Sequence, residues 1–371
     1  MATLLILVFV LGYLLIALEH NLHIDKAASA LVTGTLCWAI LVLGWTQAPN
    51  HLLGSFQEFL SGHGQSDHGV LKVFFEHRLL HHMEEISSIL FFLIGAMTIV
   101  ELVDAHNGFA VITDRISTRK KSRLLWIIGV LTFFFSAALD NLTTSIVMIS
   151  LLRKLIADKP TRWLFAGAVI ISANAGGAWS PIGDVTTTML WIGGQLTTPV
   201  IVANLILPSI VCMVVPLTIM SIQMKGEVER PADKDAGTLE NATTSGERNL
   251  IFVMGVSGLL FVPVFKTVTH LPPFMGMMMS LGVLWITTEI LHRSKSDQER
   301  SKLSVVGVLR KIDTASVMFF LGILLAVGAL QEAGHLVASA EWLQTALGDV
   351  YLINLAIGLL SAIVDNVPLV A

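Results

Sequence analysis

Ser136-Ala-Ala-Leu-Asp-Asn-Leu142 recurs as Ser361-Ala-Ile-Val-Asp-Asn-Val367, an offset of 225 residues. Ahead of it, Ser88-Ile-Leu-Phe-Phe-Leu93 matches Ser316-Val-Met-Phe-Phe-Leu321 at an offset of 228, and Asp104 coincides with Glu332 at that same spacing. Two ordered matches at nearly one offset indicate an internal duplication. Each copy sets an Asp-Asn pair inside apolar sequence. An ionised carboxylate at membrane depth costs roughly 2.5–3.5 kcal/mol on insertion scales, so it persists only beside a partner, a cavity or a cation.

The surroundings are those of a membrane protein. Of 371 residues, 54% are hydrophobic and 13% charged, against about 25% charged in a soluble domain; mean hydropathy is +0.75. Runs near the roughly 20 residues that a bilayer demands fall at about 2–18, 28–45, 86–103, 124–152, 163–193, 200–224, 249–265, 273–291, 313–331 and 350–365. The expected fold class is an all-α polytopic membrane protein. Residues 1–18 lack a basic leader region and a small-residue cleavage site, so the first run reads as a retained helix. A net charge of −4, from 23 basic and 27 acidic residues, leaves no basic excess for nucleic acid. Cys37 and Cys212 each lie in an apolar run and make neither a disulfide framework nor a zinc site.

Basic loops set the orientation, since Lys and Arg accumulate on the cytoplasmic side. Arg115, Arg119, Lys120, Lys121 and Arg123 precede the run 124–152, and Arg153, Lys154, Lys159 and Arg162 follow it. With both flanks basic, that run reads as a re-entrant hairpin that turns near Asp140, each arm too short to cross alone. Run 163–193 then goes out and 200–224 returns. Loop 292–312 carries Arg293, Lys295, Arg300, Lys302, Arg310 and Lys311, whereas 332–349 has no Lys or Arg. The first copy therefore starts inward and the second outward, which makes the repeats inverted, as in secondary transporters. The expected organisation is 1–85, N-terminal helices with an outer His-rich segment; 86–224, the first repeat with hairpin 124–152 and broken helix 163–193; 225–312, a cytoplasmic loop and linking helices; and 313–371, the second repeat. A full counterpart of 86–224 would run well past Ala371, so the second repeat is expected to be truncated inside its hairpin tip.

A second constellation is Ser172-Ala-Asn174-Ala-Gly-Gly-Ala-Trp-Ser180-Pro-Ile-Gly-Asp184-Val-Thr-Thr-Thr188. Its glycines and proline break a helix otherwise long enough to span, and its side chains add oxygens suited to a hard cation such as Na+ or Li+. Gly-rich close helix packing is the structural alternative, but it leaves Asp184 unexplained. The structural alternative is that the Asp-Asn tips merely cap the half-helices at the turn, although a cap can also be a ligand. His63, His68, His77, His81 and His82, followed by Glu84 and Glu85, read first as a solvated or interfacial face; His81 and His82 could instead sense pH.

At the two Asp-Asn tips and the Asn174–Thr186 stretch, the sequence resembles the NhaD-type sodium/proton antiporters of the ion transporter (arsenite/citrate-carrier-like) superfamily, from about Glu19 to Ala371. The resemblance implies exchange of Na+ or Li+ for H+ across a bacterial inner membrane, on inverted repeats that each carry a re-entrant hairpin and a discontinuous helix. Carried over by motif, Asp140, Asn141, Thr143, Asn174, Asp184, Asp365 and Asn366 would bind cation and proton, with Asp140, Asp184 and Asp365 the carboxylates that take Na+ or Li+. It implies no resident cofactor, a lipid bilayer as surroundings, no nucleic acid, and a homodimer as in elevator-like relatives. A carboxylate in a low-dielectric site holds a proton until a cation displaces it, so exchange follows from competition. The alternative is a same-fold anion carrier, of a dicarboxylate with Na+ or of arsenite; no Lys or Arg falls at the tips or in 172–188, which favours a cation. An enzyme is not expected, because no HExxH, GxSxG or nucleotide-binding loop is present.

Overall fold

In lipid, the backbone polar groups of an apolar run have only one another as partners, and helices result. The computed structural model describes residues 2–44, 52–63, 70–113, 116–230 and 243–361; His68, Asp365 and Asn366 lie outside them. Every regular element among the described residues is a helix. In chain order these are α1 (Ala2–Ala17), α2 (Glu19–Leu22), α3 (Lys26–Gly44), α4 (Leu53–His63), α5 (Val70–Ala105) and α6 (Ala110–Thr113). Next come α7 (Lys121–Leu139), α8 (Asn141–Leu155), α9 (Lys159–Ala178), α10 (Val185–Ile192), α11 (Thr198–Gln223) and α12 (Ser245–Thr269). The last are α13 (Pro273–Leu291), α14 (Asp297–Leu303), α15 (Val305–Leu309), α16 (Thr314–Glu332), α17 (His335–Leu347) and α18 (Val350–Ser361). Seven described helices are long and apolar enough to cross a membrane, or up to eight if α17 and α18, bent by 118°, form one span. The protein is a multi-pass membrane protein.

Two compact units divide the chain, Met1–Leu90 with Asp313–Ala371, and Phe91–Ile312. In the first, α3 packs on α16 and α1 around Leu5, Cys37, Trp38, Leu41, Phe74 and Phe75. A Cβ at Gly322 would stand 2.4 Å from the Ala30 carbonyl carbon, so α3 and α16 meet backbone to backbone, the contact that small residues permit. Arg78 donates to the buried Glu332 carboxylate through Nε at 2.9 Å and Nη2 at 2.6 Å, and His82 Nε2 lies 2.8 Å from it.

In the second unit, α7, α8 and α9 pack on one another and α11 covers α7 and α9, closing a core of Leu125, Ile128, Phe133, Leu152, Phe165 and Leu217. The loops at one end are stitched together. Lys121 N donates to Gly226 O at 3.0 Å, Val228 N to Arg119 O at 2.8 Å and Ala157 N to Glu229 O at 2.8 Å. The start of α7 and the end of α8 are therefore tied to one segment, as a hairpin requires.

Two expectations are corrected. The run 86–103 continues back to Val70 as one 36-residue helix, because no Gly or Pro interrupts 70–94, so part of the His-rich stretch is helical. The arms of 124–152 are longer than the apolar count implied. Lys121 and Arg123 join α7, and at 19 residues it is long enough to cross by itself, since basic side chains can extend a helix while keeping their charges at the interface.

Candidate functional site

The hairpin turns on a single residue. Asp140 joins α7 to α8 at φ 81° and ψ 159°, a region that L side chains rarely adopt. Its carboxylate compensates by capping α8: Oδ1 accepts from Thr143 N at 2.8 Å and Oδ2 from Thr143 Oγ1 at 2.7 Å. Such a cap satisfies an N–H that the first helical turn would otherwise leave unpaired.

The second break runs from Trp179 to Asp184, between α9 and α10. Asp184 repeats the device, Oδ1 accepting from Thr186 N at 2.9 Å and from Thr186 Oγ1. Asn141 links the two caps, its Nδ2 donating to Asp184 Oδ2 at 2.7 Å and to Asn174 Oδ1 at 2.9 Å. Two half-helix N-termini, each closed by an aspartate, thus share one amide. Ser136 and Ser180 lock the arrangement by donating to Ala173 O and Ala137 O, both at 2.5 Å. A Cβ on Gly176 would sit 2.1 Å from Phe133 O, so α9 reaches the hairpin only as glycine there.

Of the residues read from the sequence, Asp140, Asn141, Thr143, Asn174 and Asp184 come together at this crossing. Asp365 and Asn366 lie outside the described residues. Neither carboxylate accepts a bond from Lys or Arg among the described residues. The hydroxyls of Thr144 and Ser172 are buried without a hydrogen-bond partner among the described residues.

The citrate transporter (CitMHS) family model matches residues 13–371. The chain belongs to this family. Its curated relatives include "Sodium/proton antiporter 1" of Arabidopsis thaliana, 46% identical, the match covering 98% of this chain and 58% of that protein. "Sodium/proton antiporter 2" of the same plant is 43% identical over 98% of this chain and 80% of its own length. "Na(+)/H(+) antiporter NhaD" of Vibrio cholerae is 30% identical over 98% and 75%. The chain thus spans under two thirds of the first of these and most of the other two. Family and relatives alike carry the names of transporters, not of enzymes.

In this member of the citrate transporter family the two histidines of interest part company. His81 is exposed, 3.9 Å from both Glu84 and Glu85, whereas His82 is buried against Glu332. His82 therefore does not sit on a solvated face. The Arg78–Glu332–His82 cluster was missed from the sequence, although the Asp104–Glu332 coincidence had marked one of its members. Ser136 stands in its motif without a role and Ser180 among the oxygens expected for a hard cation; the fold instead turns both hydroxyls onto backbone carbonyls.

Proposed function

We propose that the chain exchanges Na+ or Li+ for H+ by alternating access, with membrane-embedded aspartates that bind cation and proton competitively. One observation carries the reading: two aspartate-capped half-helices meet through Asn141, with no Lys or Arg bonded to either carboxylate among the described residues. Asp140 and Asp365 are the alternating carriers and Asp184 the third carboxylate, while Asn141, Asn174 and Thr143 supply neutral oxygens for a hard cation. Asp365 and Asn366, the repeat-mates, complete the set from 313–371, which inverts 86–224. When a cation enters, the carboxylates lose their reason to hold a proton; when it leaves, low dielectric restores it. The names of the relatives support the same cargo.

The protein works without a resident cofactor, as a homodimer in a bilayer, with its basic loops on the cytoplasmic side of a bacterial inner membrane. An anion reading draws on the family's description, because half-helix N-termini attract negative charge. Here both ends already carry an aspartate, which would repel a carboxylate substrate. Dequenching of a pH dye in everted vesicles on addition of Na+, Li+, K+ or citrate separates these readings. Na+ and Li+ should release protons and citrate should not, and Asp140→Asn should abolish the signal. Normal Na+/H+ exchange by Asp140→Asn would overturn the assignment.

A further inference from the structure

The repeat-mates Asp104 and Glu332 meet opposite fates. Glu332 is buried and held by Arg78 and His82. Asp104, in the last turn of α5, has no side-chain hydrogen bond among the described residues. It lines a small open cavity, about 40 Å3, together with Asn107, Phe135, Val147, Ser150 and Lys154. A carboxylate, an amide oxygen and a hydroxyl lining one cavity are a hard-cation donor set. Lys154 brings a tethered ammonium to the same space. Among the described residues, the remaining charges that act on Asp104 are Glu101, one turn back on α5, and Lys311, 4.0 Å from Glu101.

The cavity shares α8 with the crossing. Lys154, Ser150 and Val147 step along α8 at helical spacing, and the next steps of that series are Thr143 and Asp140. Thr144, fully buried with its hydroxyl unpartnered among the described residues, lies beside that series, one turn from Met148, which lines the cavity.

We propose that Asp104, with Asn107 and Ser150, forms a recruiting site for a monovalent cation, from which the ion passes along α8 to Asp140, and that Lys154 fills the site's field when the cation is absent. Only the ion's destination rests on the exchange reading above. The site itself is open to a separate test.

In the full chain with Cys37 and Cys212 replaced by Ser, a Val147→Cys thiol is labelled with a membrane-impermeant maleimide in NaCl or in choline chloride. Na+ should slow labelling, Asp104→Asn should remove the protection, and Lys154→Gln should lower the half-protecting Na+ concentration. In everted vesicles, Asp104→Asn should raise half-saturating Na+ by about tenfold, the effect of one lost charged ligand, with maximal rate held within about twofold. Labelling indifferent to Na+ in a chain that exchanges normally overturns the recruiting site. So does an Asp104→Asn variant with unaltered half-saturation. Protection by Na+ without any proton exchange overturns the exchange reading and leaves the site standing.

Discussion

Asp140 answers two demands with one carboxylate. It closes the first turn of α8 while its own backbone sits at φ 81°, a conformation that costs of order 1–3 kcal/mol, and it presents oxygens at the crossing. Thr143 separates these duties. Its amide bond to Oδ1 belongs to the cap and its hydroxyl bond to Oδ2 belongs to the side chain. Thr143→Val keeps the first and deletes the second, a loss of about 1 kcal/mol. The expected result is a few-fold higher half-saturating Na+ in everted vesicles, far milder than Asp140→Asn. Asn141→Ala removes both bridges to Asn174 and Asp184 and should weaken apparent Na+ affinity by about tenfold, since one of the lost bonds is to a charged group. Equal behaviour of Thr143→Val and Asp140→Asn would mean that the hydroxyl, not the carboxylate, is the group that matters.

At the scale of elements, the site depends on how closely α9 approaches α7. Gly176→Ala drives a methyl group into Phe133 O, and overpacking of that kind costs about 1–3 kcal/mol. Gly167→Ala lies on the same helix with nothing within 4 Å of the added carbon and should be neutral or slightly stabilising through helix propensity. Thermal unfolding in detergent should separate the two variants, with Gly176→Ala melting lower and exchanging poorly. The turn at Asp140 and the break before Asp184 were legible in the sequence because charge, glycine and proline stand out against an apolar background. The helical continuation through Val70–Glu85 was not, since polar side chains mask an unbroken helix. Nor were the bonds of Ser136 and Ser180, which join residues 37 and 43 positions apart, or the pairing of His82 with Glu332 across 250. Periodicity reports which face is apolar, not which carbonyl will face a hydroxyl.

For the molecule as a whole, stability should carry an acid limit set by a buried imidazole pair. His106 Nε2 lies 2.7 Å from His292 Nε2, and His106 Nδ1 is engaged by Leu102 O at 2.6 Å. That network assigns the shared proton to His292. Burial, then the neighbouring His106 and Lys295, pulls His292 from its ordinary 6.5 down to about 4, and burial lowers His106 as well. With folded values below unfolded ones, the unfolded chain binds more protons in acid; the pair's contribution is complete above pH 6.5 and is lost as pH falls toward 4. The melting temperature should drop through that window, and His292→Gln should flatten the drop; an unchanged slope would place the acid limit elsewhere. On the exchange mechanism proposed above, the two aspartate caps would impose a further, transport-linked change in rigidity. A proton taken up by Asp140 or Asp184 weakens the fastening of a helix end, and a departing proton restores it, so occupancy and fraying become one variable. Amide hydrogen exchange at Thr143 and Thr186 would then run fast in the protonated state and slow in the cation-loaded one, making these two backbone positions a direct clock of the working cycle.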